Sequence, residues 1–596
     1  MPNRSNVHAL FAATVALAAT ATAQTPDVRG IAYREVARAG DPVPGLGAGF
    51  TFAEFLVSRL DDAGRVVFSA IIDGPGIGPF DFFINSVLIE ASPEGDLTLL
   101  ARSGDPVPGT SFEYLPVVAT EQALLTQAGT TVFVPIVSPI GGGVAQSPFV
   151  LAFGDQGVAI VVGAGDDAPG FTVGTTIVEI DQRHLTVAGD DALIFTARIA
   201  GPGVNEDNDT VLYRLGPDGA ASIIAREGDD IPGLPAGTNT YSLERLGVVS
   251  NRSGDLALVD QARRPNSAVE DRIIIGPDGA DGFTTIHRSF DPLPNAPSGT
   301  NLQVLGISAI ADDGTVYVGG RVFDPGFATD PTLTSEALLA GDAATGLRVL
   351  LRNGAPGVLG LPGEPTIRAV PASAAGFPNA RGEVVTQATL DGTAGEATSS
   401  ILVINPEGEI RARVVTGDIP VNVGPGRFVD PRNPVINDNS WTAAPMSLRQ
   451  PGGPVQLGLG LANPQGDAWL VAAQGLSIDE DNDPATPPAL VTTITEGFAP
   501  RGGRRNFLNS QNQVVFAATF DNAPAGLFVA EVADPRPRCN PADVALPLGI
   551  VDLADADAYI AAFLSVVNGA DLAPQGGIID LDDIDAFIAA FLTGCP

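Results

Sequence analysis

Gly40-Asp41-Pro42-Val43-Pro44-Gly45 decides the fold, because the phrase returns almost letter for letter along the chain. It recurs as Gly104-Asp105-Pro106-Val107-Pro108-Gly109, as Gly165-Asp166-Asp167-Ala168-Pro169-Gly170 and as Gly228-Asp229-Asp230-Ile231-Pro232-Gly233. Weaker copies begin at Phe290, Gly354, Gly417 and Gly497, so that successive copies lie 64, 61, 63, 62, 64, 63 and 80 residues apart. A period that steady is the mark of a repeat architecture.

Between two copies the chain reads as short apolar runs bounded by Gly, Pro, Asn and Asp, which predicts strands and not helices. In the first unit these are Phe52 to Leu60, Arg65 to Ile72, Ser86 to Ala91 and Asp96 to Arg102. Four strands per unit predict an all-β chain built as a β-propeller. The near-continuous apolar second strand, seen again at 192–197 and 514–518, suits a strand covered on both faces by neighbouring blades.

The ends of the repeat region set the blade count. One strand, Gly30 to Ala37, precedes the first phrase, and three follow the last, around 505–509, 513–520 and 526–532. One plus three completes a blade. Seven full units and this composite predict eight blades, with the N-terminal strand closing the ring so that no long sheet edge stays unpaired. Seven blades with an irregular extra sheet is the alternative, and an open solenoid would leave the first strand without a role.

Within the phrase, Gly permits positive φ, Asp is expected to accept from backbone N–H groups two residues on, and Pro ends the ladder. The acids Asp41, Asp105, Asp166, Asp229, Asp291 and Asp418 then form a rim of turn residues. Arg38, Arg102, Arg226, Arg288 and Arg352, two residues before five copies, are expected to pair with these acids rather than to await an anion.

Charge and composition narrow the function. The formal charge is −37, all 32 basic residues are arginine, and so acidic a chain repels nucleic acid and anionic membranes. Residues 1–23 carry Arg4, an apolar run from Leu10 to Ala19 and the small-residue site Ala21-Thr22-Ala23, which predicts a signal peptide and an exported protein. No later run has the roughly 20 apolar residues of a membrane span, so no insertion is expected. With His184 and His287 the only histidines beyond the signal, metal-hydrolase and Ser-His-Asp chemistry are poorly supplied. Trp441 and Trp469 are the only tryptophans that could stack on sugars. Two acidic loops, Glu206–Asp209 and Asp479–Pro484, lack the spacing of a full calcium loop and suit solvated turns.

Residues 535–538 (Pro-Arg-Pro-Arg) form a stiff linker between the repeat region, 24–534, and a different duplication. Ala542–Leu564 aligns on Ala570–Leu592 at an offset of 28 with 15 of 23 positions identical. Leu553, Ala556, Ile560 and Phe563 fall on one helical face, as do Leu581, Ile584, Ile588 and Phe591, while Asp552 and Asp580 suit N-caps. A duplicated Asp-rich loop and helix, bracketed by Cys539 and Cys595 and ending Cys595-Pro596, resembles the dockerin family over 539–596. The resemblance implies a small α-helical module in which Asp543, Asp552, Asp555, Asp571, Asp580 and Asp583 serve calcium and which docks on a cohesin-like partner. Its loops depart from the family pattern, with Pro574 and Gly576 where the third and fifth ligands belong. The lone cysteines bracketing so small a core predict a bridge between Cys539 and Cys595, worth roughly 4 kcal/mol by loop closure.

The repeats over 30–533 resemble secreted bacterial repeat proteins of unknown function that carry interchangeable C-terminal anchors. Together these features predict a secreted or cell-surface, non-catalytic binding or display scaffold whose propeller takes a glycan or surface-protein ligand. The competing class is a propeller glycoside hydrolase or lyase acting on extracellular polysaccharide.

Overall fold

In the computed structural model the apolar runs become strands arranged as eight antiparallel blades of four main strands; two blades carry a short fifth strand, and Phe112–Tyr114 pairs with Val137–Pro139 in a small separate sheet. The structure describes residues 30–532 except 78–84, 116–122, 127, 141–148, 155–156, 264–269, 278–282, 295, 327–333, 355–364, 371–377, 392–396, 419, 421, 423–426, 451–452, 479–487, 496–506 and 522. Beyond 532 it describes Ala556, Tyr559, Ile560, Ile584, 587–589, Phe591 and Leu592. The signal segment, Cys539, Cys595 and the six aspartates assigned to calcium lie outside the described residues.

Blade 1 is Thr51–Leu60, Val66–Asp73, Ser86–Ala91 and Leu97–Arg102, here lettered strands a to d. Blade 2 is smaller, and blades 3 to 7 begin at Thr176, Asn239, Asn301, Ile367 and Arg427. Strand b is buried along nearly its whole length in blades 1, 3 and 7, as its unbroken apolar run predicts. Strand d is mostly half-buried or exposed in blades 1 and 3, whereas in blade 7 Ala468–Ala473 is buried throughout.

Ring closure follows the predicted route. Ile31–Arg38 pairs antiparallel with Gly526–Val532, Ile31 opposite Val532 and Arg38 opposite Gly526. A register detail confirms that this strand is a true strand d. In each of the other seven blades strand d carries one extra residue opposite strand c: Leu100, Val161, Ile224, Ile286, Leu350, Arg413 and Val471. Ile31–Arg38 carries the same bulge at Val36. Such a bulge bends and twists the outer strand.

One boundary is corrected. Blade 8 takes its first strand from Ala489–Thr495, not from 505–509. The structural eighth copy of the phrase is Gly475-Leu476, whose N–H groups and partners repeat the first copy. Gly475 N donates to Val491 O at 2.8 Å and Val491 N to Leu476 O at 2.9 Å, as Gly40 N donates to Phe52 O and Phe52 N to Asp41 O. The step from Gly417 is then 58 residues instead of 80. Leucine in place of aspartate hid this copy, and the weak phrase at 497 falls outside the described residues.

The phrase aspartates also bond differently from expectation. Asp41, Asp166 and Asp418 accept from the backbone N–H three residues earlier, at 3.1, 2.7 and 2.6 Å, while their own N–H groups donate back to the same residues' carbonyls. The chain has just left strand d, so that last N–H has lost its ladder partner and the carboxylate supplies one. Of the preceding arginines, Arg288 pairs with its phrase acid, Asp291, at 2.7 Å. Arg38 holds Glu35, Arg352 holds Asp324, Arg226 lies over the ring of Phe171, and Arg102 lies over that of Phe50 while its charge also acts on its phrase acid, Asp105. The residue before the last proline is buried in the first five copies (Val43, Val107, Ala168, Ile231 and Leu293), so there the phrase also plugs the seam between blades.

In the C-terminal region the described residues are helical. Tyr559 and Phe587 stack at 4.0 Å and 10°, and both are buried. They are separated by the 28-residue offset, so the two copies meet through equivalent aromatics.

Candidate functional site at the axial mouth

Each strand b is entered through a tight turn, and the turns of seven blades face the ring axis. The turns of blades 1 to 7 line a cavity of about 610 Å³ that contains Asp61, Asp62, Asp191, Asp312, Asp438, Arg59 and Arg252. The phrase aspartates sit on the opposite face, because each phrase joins the far end of strand d to the next strand a. They form scattered turns and are not brought to this cavity.

The carboxylates at the mouth alternate around the ring. Asp62 of blade 1 accepts from Ser510 N of blade 8 at 2.7 Å, and Asp191 of blade 3 from Ala128 N of blade 2 at 2.9 Å. Asp312 of blade 5 accepts from Arg252 N of blade 4 at 2.9 Å, and Asp438 of blade 7 from Ala380 N of blade 6 at 2.8 Å. Every odd-numbered blade thus presents an acid to the turn of the blade before it. Asparagines add a second tie: Asn251, Asn437 and Asn509 each donate a side-chain N–H to the next blade's turn, at Ala311 O, Asn509 O and Asp61 O. Arg252 also pairs with Asp438 three blades away, so one ion pair crosses the mouth.

Asp438→Ala removes both the acceptor of Ala380 N and the ionic partner of Arg252. The expected cost is about 1–3 kcal/mol, the usual loss when a part-buried donor is stranded. Guanidinium unfolding of the variant against the parent measures it.

Little of this was legible beforehand. Asp and Gly at the ends of apolar runs read only as strand boundaries, yet acid-bearing turns recur in step with the phrase at 61–62, 190–191, 312–313 and 437–439. That second periodicity was the available signal. Trp441 and Trp469 offer no sugar platform: they stack on each other at 5.2 Å, both buried in the core of blades 7 and 8. Glu206–Asp209 is a solvated turn held by Asn205 and Asn208. The loop at 479–484 lies outside the described residues, as does the side chain of His184.

Two buried ionisable groups of blade 4 were also missed. Asp260 is fully buried on strand b, accepts from Thr240 Oγ1 at 2.8 Å, and is pushed up to about 7 by burial, with the Glu227 charge adding to the rise. At the equivalent place the other blades carry Ala70, Pro135, Ala197, Gly320, Ala388, Met446 and Ala518. His287, on strand d of the same blade, is lowered to about 4 by burial.

Several solved structures show a limited likeness to this chain. A prolyl endopeptidase aligns at 12% identity with a TM-score of 0.37, over 71% of this chain and 50% of its own, so the chain spans half the length of that protein. A PL25 polysaccharide lyase, an ulvan lyase, aligns at 10% identity with a TM-score of 0.27 over 83% and 94%. An α-L-arabinanase of Penicillium chrysogenum aligns at 13% with a TM-score of 0.23 over 59% and 92%. No curated protein matches in sequence. A family profile does match, once over 23–293 and again over 275–540, each match taking in about half of the ring. The chain belongs to the family of unknown function DUF7453.

Proposed function

We propose that the protein is an exported, non-catalytic binding and display scaffold whose ligand site is the axial mouth. The observation that carries this is how the mouth uses its acids. Asp62, Asp191, Asp312 and Asp438 each accept a backbone N–H from a neighbouring blade, which fixes the rim as a rigid polar surface. Those bonds give the four carboxylates a structural task, tying each turn to the blade before it. The duplicated C-terminal module is the anchor of this proposal: it docks on a cohesin-like partner outside the cell, with calcium at the six aspartates and a Cys539–Cys595 bridge as its staples. The stacked Tyr559 and Phe587 support it as a folded pair of repeats.

A second proposal, cleavage of an extracellular polysaccharide, is favoured by the cavity itself, where groups of both signs converge in about 610 Å³. A binding screen of the full chain against glycans and surface proteins, with calcium and with chelator, separates the two. Retention of intact polymer, lost in an Asp438→Ala variant, is expected for the scaffold. Release of new reducing ends or unsaturated sugars during the same incubation would establish the enzyme. Retention on a cohesin-like protein that chelator leaves unchanged would rule out the calcium-dependent anchor.

A further inference from the structure

The outer bulge of seven blades is filled by Val, Leu or Ile, and only blade 6 departs, with Arg413. The side chain is 7% exposed, its guanidinium donates to Pro464 O of blade 7, and its Nε has no hydrogen-bond partner in the protein. Burial lowers its pKa, against the opposing pull of Glu383. A cation there costs stability that an aliphatic residue, sufficient in every other blade, would not. Departures from a rule the rest of the molecule obeys concentrate at functional positions.

Arg413 does not stand alone. It lines a groove of about 850 Å³ between blades 6 and 7 together with Arg381, from the strand a–b turn, and Arg411, two residues earlier on strand d. Arg381 and Arg411 are both exposed; Arg381 donates to Ser440 Oγ at 3.3 Å, and Arg411 holds Glu409 at 3.3 Å through one nitrogen, which leaves other N–H groups of each fork facing solvent. The acids in the lining are engaged: Glu383 accepts from Asn379 Nδ2 at 2.7 Å and from Ser440 Oγ, and Asp418 accepts from Val415 N. The turns at 379–383 and 437–441 border this groove as well as the axial mouth, so the groove reaches the mouth face and runs along the seam toward the phrase turn at Asp418.

We propose that this groove binds an anionic group, a carboxylate or a sulfate ester, through Arg381 and Arg411, with Arg413 as a fixed buried charge beside them. The site lies outside the axial mouth and does not depend on the proposal made for it. The chain's large negative charge repels a polyanion at long range, but screening confines that effect to about 8 Å at physiological salt, and the local arginines decide binding at contact.

Calorimetric titration of the full chain with polygalacturonate, dextran sulfate and neutral dextran, at about 0.15 M salt, tests the proposal. The variants are Arg381→Gln/Arg411→Gln and, as a control, Arg198→Gln on blade 3, whose side chain is 54% exposed. Both should melt with the parent. The expected result is binding of a charged polymer in preference to dextran, weakened about ten-fold or more in the double variant and unchanged in the control. The tighter of the two charged polymers identifies carboxylate or sulfate. Absence of binding, equal binding of all three polymers, binding untouched by the double variant, or an equal loss in the control would each overturn the proposal.

Discussion

Tyr33→Ala is expected to destabilise the propeller by about 3–5 kcal/mol, and deletion of residues 30–38 to abolish cooperative unfolding altogether. Tyr33 is buried in the closing strand, donates its hydroxyl to Val471 O of blade 7 at 2.6 Å, and meets the edge of Phe516 at 6.3 Å. One side chain therefore ties the N-terminal strand to its own blade and to the neighbouring one. Truncation leaves a cavity and also strands a buried acceptor. Deletion of the whole strand leaves Gly526–Val532 as an open outer edge of blade 8, and that blade loses its only strand from the N-terminal end of the ring. Thermal unfolding followed by circular dichroism and by limited proteolysis would show both effects. A Tyr33→Ala protein that melts with the parent would mean that the ring does not depend on its clasp.

The second large effect is a pair of opposed pH dependences within blade 4. Asp260 has a folded-state pKa of about 7 against roughly 3.9 unfolded. Its contribution to stability is present at and below about pH 4 and is lost as pH rises through 7, because the unfolded chain releases the proton first. His287 behaves in the reverse sense. Its folded pKa of about 4 lies below the unfolded value of roughly 6.5, so its contribution is present above 6.5 and is lost as pH falls toward 4. Over the shared window the two slopes largely cancel. Asp260→Ala, the residue found at this place in four other blades, should unmask the histidine: relative to the parent, its stability should rise by about 4 kcal/mol between pH 4 and 8. His287→Phe should gain on the parent as pH falls over 6.5 to 4, by about 3 kcal/mol. Glu227 near Asp260, and Asp291 and Arg288 near His287, tune these values without changing their sign. A variant-minus-parent difference that stays flat with pH would show that the group in question titrates normally in the fold.

The fold was more legible than the site, for a physical reason. Gly and Pro mark backbone conformations that few other residues tolerate, so the phrase announced seven of the eight strand d to strand a crossings, the blade count and the closing strand. Phe290 shows the same constraint from the other side, since it adopts φ +69° where the stronger copies place glycine. The eighth copy failed to register because Leu476 replaces the acid, while the hydrogen bonds that define the crossing belong to the backbone and do not report in the side chain. The mouth was obscured for a related reason. Asp61, Asp62 and Asp438 look like ordinary turn residues in any one unit, and only closure brings turns from distant parts of the chain to one axis. Asp260 and Arg413 are informative only against the seven other residues at the same place, which requires the register that pairing supplies.

Closure by Ile31–Arg38 has a consequence for how the chain is made. The first strand of the ring to leave the ribosome can be paired only after its partner, some 490 residues later, has been synthesised. At translation rates of about 5–20 residues per second it waits roughly 25 to 100 seconds with an unsatisfied edge. Arg34, Glu35 and Arg38 place three charges within its eight residues. Charges on an unpaired strand discourage a second copy from pairing with it. The strand that locks the finished ring is thus written to stay unattached until the ring is ready to be locked.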